Sequence, residues 1–124
     1  MSSIQKDAFA RYIGAELVEI TPQKAVCELE LQPHHLNGVG LVQGGVLFTL
    51  GDLALAALAN EAGGTSVTLN GSIDFLKAVS TGTLRAEAVP IKLGRTVSLF
   101  QVDVYEKATH KLLATFRGSS FRIK

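Results

Sequence analysis

The sequence predicts an α+β fold, with an antiparallel sheet of about five to six strands wrapped round one long central helix. The first observation is the segment 44–59, whose apolar residues occupy every side of a helix and therefore indicate an enclosed one. The second is a series of extended segments with alternating apolar and polar residues, before and after this helix. A single enclosed helix and such strands pack together when the sheet curls round the helix.

The chain before the long helix predicts a short helix and two strands. Five apolar residues at helical spacing place an amphipathic helix in the first dozen residues: Ile4, Ala8, Phe9, Tyr12 and Ile13. Residues 15–21 are predicted to be extended. Residues 24–32 alternate regularly, which indicates a half-buried strand with Cys27 on its apolar side, in the core and not at a catalytic centre.

A loop and the long helix follow. Turn-forming residues predict a loop over residues 33–40, where the adjacent His34 and His35 are expected to face solvent. The helix is rich in Leu and Ala, which are good helix formers. At about 16 residues it is shorter than the roughly 20 that a membrane span needs, and Asp52 lies at its middle. We therefore expect a buried helix and no membrane partner.

Everything after Thr65 predicts strand, over residues 66–75, 83–93, 95–106 and 112–123. The second of these alternates regularly from Leu84 to Ala88. In the first, four apolar residues are expected to share one face of the strand: Val67, Leu69, Ile73 and Phe75. This order of elements, with a sheet round one helix, is the arrangement called a hotdog fold.

Length and charge limit the function classes. The 124 residues allow a single domain, 1–124. The net charge of +1, with 12 basic residues interspersed among 11 acidic ones, argues against a nucleic-acid partner. One cysteine cannot form an internal disulfide, and no Cys/His cluster has metal-ligand spacing. The N-terminus lacks the apolar stretch of a signal peptide, so a cytoplasmic location is expected.

A motif within residues 35–60 carries the chemical interpretation, and its members are Asn37, Gly40, Gly44, Gly45, Phe48, Leu50, Asp52 and Asn60. Two further blocks follow in order, at residues 72–77 and 116–123. Together the three blocks resemble the signature of hotdog-fold acyl-CoA thioesterases of the phenylacetate-pathway (PaaI-like) type. The likeness spans residues 35–124.

The motif departs from that family at three positions. Gln43 replaces the usual His before the Gly-Gly pair, Gly51 replaces an Ala, and Ala78 replaces a Pro. Gln43 can form hydrogen bonds but cannot titrate, so a proton-transfer role of that His is not carried over to this chain. The departing thiolate, whose conjugate pKa is roughly 8–9, can leave without full protonation.

Thioester hydrolysis, which the resemblance implies, needs donors for an oxyanion and a group that activates water. Gly44 begins the helix, where unpaired backbone N–H groups favour negative charge. Asn37 either offers a second donor through its side-chain amide or only shapes the loop. Asp52, the carboxylate inside an otherwise apolar helix, is the candidate base or nucleophile. The resemblance assigns Thr68 to a hydroxyl that helps to orient the attacking water.

The spacing of two of these residues predicts an assembly. Gly44 and Asp52 are eight residues apart, about 12 Å along a helix, so one helix cannot easily hold both near one thioester. Two such helices packed antiparallel in a symmetric dimer can, because Asp52 of one chain then faces Gly44 of the other. We therefore predict a homodimer with active sites shared between the chains. The resemblance implies that such dimers pair into tetramers.

The remaining contacts to an acyl-CoA substrate are assigned by position. Lys77, Lys92 and Arg95 lie at predicted strand ends and are candidates for binding the CoA phosphates, and Gln43 and Gly45 adjoin the oxyanion donor. The predicted reaction releases an aryl or medium-chain carboxylic acid and free CoA, without a metal or another cofactor.

Two functions of other classes fit the same architecture. A hydratase or dehydratase acting on acyl thioesters needs an acid/base pair, commonly a His with a carboxylate, and Gln43 counts against it. A non-catalytic acyl-CoA-binding protein needs no such pair and is the second alternative.

Overall fold

The computed structural model describes residues 3–124; Met1 and Ser2, which the prediction of an N-terminal helix includes, lie outside the described residues. A 3₁₀ turn, a short helix, two strands and a second 3₁₀ turn come first: Ser3–Lys6, α1 (Ala8–Ile13), β1 (Glu16–Thr21), β2 (Lys24–Glu30) and Pro33–His35. The long helix and four strands complete the chain: α2 (Gly44–Glu61), β3 (Ser66–Phe75), β4 (Thr83–Lys92), β5 (Val97–Glu106) and β6 (Leu112–Arg122).

The six strands form one antiparallel sheet in the order β1-β2-β4-β5-β6-β3, so β1 and β3 are its edges. Helix α2 lies across one face of the sheet and contacts every strand. The α+β hotdog arrangement predicted from the sequence is thereby confirmed, with six strands in the sheet. Within residues 3–124, no helix combines the length and the apolar character needed to cross a bilayer.

The core lies between α2 and the inner face of the sheet. Leu50 and Leu55 of α2 belong to it, as do Phe100 and Phe116 of the sheet, and all four side chains are fully buried. Burying a side chain of this size stabilises the folded state by roughly 1.5–3 kcal/mol. A Cβ at Gly51 would come within 3.2 Å of the buried Phe116 ring. This close approach of α2 to β6 accounts for the glycine at a motif position that is usually Ala.

Cys27 of β2 lies in this core, as expected from the alternation of its strand. Burial raises the pKa of its thiol to about 12. Because the thiolate is the nucleophilic form of cysteine, a thiol in this environment does not act as a nucleophile near neutral pH.

The face predicted for β3 is wrong in the first half of the strand. A bulge between Thr68 and Asn70 shifts the register against β6, and the alternation changes face there. Thr68 faces α2, whereas Val67 and Leu69, predicted to share a face with Ile73, are 48% and 59% exposed. Ile73 packs against the core, and Phe75 at the end of the strand is 55% exposed. Beyond the bulge it is Gly71 that faces the core, where a Cβ would come within 2.8 Å of an aromatic ring. One inserted residue has therefore reversed the inward-facing parity of the strand.

His35 is buried, contrary to the expectation that both loop histidines face solvent, whereas His34 is exposed. Nδ1 of His35 accepts a hydrogen bond from the Gln32 N–H at 2.9 Å, and Nε2 lies 2.8 Å from the Ile13 carbonyl oxygen. A carbonyl can only accept and an N–H can only donate, so these partners select the neutral imidazole with its proton on Nε2. The ring thus ties the loop before α2 to the end of α1.

Helix α1 buries less of its apolar side than the spacing predicted. Asp7 caps it by accepting a hydrogen bond from the Ala10 N–H at 2.9 Å, and within the helix only Ala10 and Ile13 are buried. Phe9 and Tyr12 are 56% and 81% exposed. A helix of six residues has fewer than two turns, so it can cover only a narrow stripe of the core.

Candidate active site

Asp52 lies on the third turn of α2 and is half-buried. The Thr68 hydroxyl of β3 donates a hydrogen bond to Asp52 Oδ1 at 2.6 Å. This contact depends on the bulge after Thr68. Before the bulge the even-numbered residues of β3 face α2, and after it the odd-numbered ones do. Because the Thr68 hydroxyl occupies Oδ1, Oδ2 is the carboxylate oxygen that remains to meet a ligand or water.

A pocket of about 260 Å³ lies beside the Asp52–Thr68 pair. Apolar side chains of Leu53, Ala56 and Val67 line it together with the carboxylate and the hydroxyl. Asp7, Asn60 and Ser66 also line the pocket, so its walls are partly apolar and partly polar. Among residues 3–124, no three His, Cys, Asp or Glu side chains are grouped in a way that could hold a metal ion.

Gly44 is the first residue of α2. Gln43 before it has an extended backbone and makes no capping hydrogen bond through its side chain. The first N–H groups of a helix have no partner within it, and together with the helix dipole they favour negative charge. A Cβ at Gly44 would lie 3.0 Å from Phe75 Cζ, so the glycine gives the end of β3 room to pack on the start of the helix. Gly45, the next residue, is exposed.

Asn37 organises the loop before α2. Its Oδ1 accepts hydrogen bonds from the N–H groups of Val39 at 3.0 Å and Leu41 at 3.1 Å, and its own N–H donates to the Leu41 carbonyl at 2.6 Å. Because the loop occupies the side-chain oxygen, the side-chain Nδ2 group is the one left to donate to a ligand. Asn37 shapes the loop and also keeps a hydrogen-bond donor, so both interpretations of this residue are compatible.

The structure brings the predicted residues into two groups. Asp52 and Thr68 meet near the start of β3, whereas Gly44 packs on Phe75 at the end of the same strand. Along α2 the two groups are eight residues apart, about 12 Å. A single chain therefore does not hold the Gly44 N–H and the Asp52 carboxylate against one reacting bond.

The three candidate phosphate-binding side chains are exposed and lie apart. Lys77 follows β3, and its N–H donates to the Leu113 carbonyl at 3.1 Å, where β6 begins. Lys92 ends β4 and Arg95 lies in the turn to β5, which pairs with the far end of β6. Lys77 is therefore at one end of the sheet, and Lys92 and Arg95 are at the other.

Sequence reasoning gave no role to Phe75 or Asn60, which both contact the candidate site. The Phe75 ring covers Gly44, although 55% of the residue is exposed. The Asn60 side chain forms hydrogen bonds with α2 and with the start of β3 and also lines the pocket of Asp52. The only signal in the sequence for Asn60 was its place in the motif. No signal pointed to the contact between Phe75 and Gly44, because these residues are distant in sequence.

The family model described as the thioesterase superfamily matches residues 39–112, a range that includes both groups of the candidate site apart from Asn37. Acyl-coenzyme A thioesterase PaaI of Escherichia coli is 32% identical over 120 residues, which cover 96% of this chain and 85% of that protein. Acyl-coenzyme A thioesterase 13 of Homo sapiens is 33% identical over 113 residues, covering 88% and 81%.

Solved structures are similar over nearly the same extent. The structure of the E. coli PaaI protein, from the phenylacetic acid degradation operon, superposes with a TM-score of 0.92 at 31% identity, covering 97% of this chain and 87% of that chain. A mutant structure of the phenylacetic acid degradation protein PaaI from Thermus thermophilus superposes with a TM-score of 0.88 at 31% identity, covering 94% and 100%.

Proposed function

The chain belongs to the thioesterase superfamily, and on that premise we propose that it hydrolyses acyl-CoA thioesters to a carboxylic acid and free CoA. The resemblance of its motif to PaaI-like thioesterases is confirmed. The names of the E. coli and human relatives support acyl-CoA as the substrate. The observation that carries the assignment of the site is the Thr68–Asp52 hydrogen bond, since it orients a carboxylate beside a partly apolar pocket.

Asp52 activates the attacking group in this proposal. Its Oδ2 accepts a proton from water while the water oxygen bonds to the thioester carbon, and the carbonyl oxygen becomes an oxyanion. The oxyanion then collapses, the C–S bond breaks, and the thiolate leaves and takes up a proton. Alternatively, Oδ2 itself attacks the carbon, the C–S bond breaks as the thiolate leaves, and water hydrolyses the resulting anhydride to the acid and the free Asp52 carboxylate. Both routes use the same oxygen, the one that Thr68 leaves free.

Gly44 and Asn37 stabilise the oxyanion. The Gly44 N–H stands at the positive end of the α2 dipole, and Asn37 Nδ2 is the side-chain donor that the loop leaves unused. Donors that are already oriented stabilise the developing charge without reorganising during the reaction. Gln43 and Gly45, both exposed beside Gly44, contact the substrate near its thioester.

We propose that each site is shared between the two chains of a homodimer. Antiparallel packing that sets Gly44 of one α2 against Asp52 of the other centres the two-fold axis on Phe48, four residues from each. Phe48 is 37% exposed, and the outer edge of β3 has no strand partner within the described chain. An exposed aromatic residue and an open strand edge on the same side of the molecule support this interface.

We propose that two such dimers pair through the outer face of the sheet. Val67, Phe121 and Val97 stand opposite one another on three neighbouring strands and are 48%, 38% and 47% exposed. Val67 lies on the edge strand, so this apolar row of each chain extends to the edge of the sheet. A continuous apolar surface of that kind is typical of an interaction site, and a second dimer is the partner with a matching one.

The substrate contacts follow from the same dimer. Antiparallel pairing of two β3 strands brings Lys77 of one chain to the end of the sheet where Lys92 and Arg95 of the other lie, which supports a CoA phosphate site made by both chains. The pocket beside Asp52 has a volume of about 260 Å³, and its apolar part, formed by Leu53, Ala56 and Val67, supports an aryl or medium-chain acyl group. The cytoplasmic location stays a prediction.

Release of thiol from a panel of acyl-CoAs tests the reaction, with a thiol-reactive dye to follow the product. We expect turnover of aryl and medium-chain substrates without added metal or cofactor. A wild-type protein that hydrates an enoyl-CoA but frees no thiol would overturn the proposal. So would one that binds every acyl-CoA of the panel and turns over none.

Mixing inactive chains tests the shared site. Asp52→Asn and Asn37→Ala chains are inactivated in different halves of the site, so each heterodimer regains one native site. Equal mixing makes half of the dimers mixed, and half of their sites are native, so about a quarter of the wild-type activity should return. No recovery after verified subunit exchange would show that the two halves act within one chain.

A further inference from the structure

The Asn60 side chain, two helical turns beyond Asp52 on α2, makes three hydrogen bonds with the main chain. Nδ2 donates to the Ala56 carbonyl at 2.8 Å and to the Ser66 carbonyl at 3.1 Å. Oδ1 accepts from the Ser66 N–H at 2.9 Å. The amide therefore holds both polar groups of the first residue of β3, as a neighbouring strand would, and ties that residue to α2.

We propose that Asn60 is a positioning residue for the proposed thioester hydrolysis, one that sets the Thr68 hydroxyl against the Asp52 carboxylate. Asp52 and Asn60 lie on one side of α2, because residues at i and i+8 are about two turns apart. Ser66 and Thr68 face the same side of β3, since side chains alternate along a strand. Fixing Ser66 to Asn60 therefore fixes where Thr68 meets Asp52.

The start of β3 is held on its other side by pairing with the C-terminal segment of the chain, and Asn60 is its side-chain connection to α2. Three residues of β3 pair with β6 before the bulge, and Thr65 just before them forms main-chain hydrogen bonds with Ile123 and Lys124. The opposite edge of β3 is open within the described chain. The turn that leads from α2 into β3 contains Gly63 and Gly64, both with positive φ, and the Arg122 guanidinium donates a hydrogen bond to the Gly63 carbonyl. Asn60 supplies the side-chain link between the helix that carries Asp52 and the segment that carries Thr68.

The residue type at this position matters for the same reason. Ser66 is only 8% exposed, so removing the amide would leave buried main-chain groups without their partner. Aspartate could still accept from the Ser66 N–H but could not donate to the two carbonyls. Neither alanine nor aspartate can therefore bind both the N–H and the carbonyl of Ser66.

A double-mutant cycle tests the proposal. Asn60→Ala should lower kcat about tenfold with little change in KM, because a reacting group is displaced while substrate contacts remain. In the Thr68→Ala background, the same change should lower kcat by less than about twofold, since the group that it positions is already gone. If Asn60→Ala does not fold, Asn60→Asp replaces it in the cycle, since aspartate still accepts the hydrogen bond from the Ser66 N–H. Asn70→Ala, the same change on the exposed side of β3, is the matched control and should keep the wild-type kcat.

The outcomes separate this proposal from the proposed function. Equal losses of kcat in both backgrounds would show that Asn60 only stabilises the fold, and an unchanged kcat in folded Asn60→Ala would also overturn the proposal. If wild-type protein releases no thiol, the proposed function fails. The positioning is then decided by a crystal structure of Asn60→Ala. A Thr68 Oγ1–Asp52 Oδ1 separation beyond hydrogen-bond range supports it, and a retained 2.6 Å contact contradicts it.

Discussion

The N-terminal end of α2 and the Asp52 turn of the same helix differ in what holds their functional groups. At the N-terminal end, the proposed donor is the main-chain N–H of Gly44, and Asn37 holds the adjoining loop through hydrogen bonds to main-chain groups. At the second, the acceptor is a side-chain oxygen held by another side chain, Thr68. A main-chain group depends on helix geometry and space, whereas a side-chain group depends on the identity of single atoms. The two ends should therefore respond to different substitutions.

The largest effect is expected at the side-chain end. Asp52→Asn removes the oxygen that accepts a proton or attacks, while it keeps the size of the side chain, so kcat should fall about a thousandfold. Substrate binding, measured by calorimetry with a non-hydrolysable acyl-CoA analogue, should stay within a fewfold of the wild-type value. Asp74→Asn, the same change on the exposed side of β3, is the control. Equal activity of the two variants would remove Asp52 from the reaction.

At the main-chain end, Gly44→Ala and Gly44→Pro form a matched pair. Both substitutions add a Cβ that comes close to the exposed Phe75 ring. Proline is accepted at the first position of a helix, so both variants should fold. Only proline removes the main-chain N–H. Gly44→Pro should therefore lose about a hundredfold more in kcat than Gly44→Ala, as expected for loss of one oxyanion donor. Similar kcat values for the two folded variants would show that another group stabilises the oxyanion.

Thr68 separates orientation from chemistry at the side-chain end. Thr68→Val removes the hydrogen bond to Asp52, and kcat should fall about tenfold, the effect of a carboxylate that is present but no longer oriented. Thr68→Ser keeps the hydroxyl and should remain close to wild type. If serine lowers kcat as much as valine does, the methyl group of Thr68 matters and the hydrogen bond does not.

The smallest effect is expected at a carboxylate that belongs to neither end. Glu106 accepts hydrogen bonds from the Ala108 N–H and from the Thr109 hydroxyl and N–H, which hold its pKa below the usual 4.5. A lowered pKa in the folded state stabilises the fold above pH 4.5, and this contribution is lost as the pH falls through the folded-state pKa. Glu106→Gln should therefore lower Tm at pH 7 and make Tm less dependent on pH below 4.5, with kcat at pH 7 unchanged. An acid dependence of Tm as steep as in wild type would contradict this role.

The faces of the strands could be predicted from alternation only where the strand is uninterrupted. In β4, Leu84, Ala86 and Ala88 are all fully buried, as their spacing predicts. In β3 the same argument fails at Val67 and Leu69, because a single inserted residue reverses the parity. Asn70 and Gly71 directly follow the inserted residue, and a glycine inside a strand pattern is the signal for a bulge that the alternation argument ignored. Alternation in a sequence assumes an unbroken ladder, and the bulge breaks that assumption.

The candidate site likewise contains residues that could be predicted from the sequence and contacts that could not. Asp52 and Gly44 could be found from the sequence because their chemistry lies in the residue type, a carboxylate in an apolar helix and a glycine at its start. The packing of Phe75 on Gly44 and the hydrogen bonds of Asn60 could not, since they depend on how distant segments meet. The shared site and the roles of its residues stay predictions that the variants above decide.

Cys27 has a practical consequence for these measurements. It is the only cysteine of the sequence, and it is fully buried with a pKa of about 12, so the folded chain should be silent toward thiol reagents. The dye that counts released CoA then has no background from the enzyme. The same thiol becomes reactive when β2 unfolds locally. Its labelling rate therefore measures how often this part of the sheet opens, without an introduced probe.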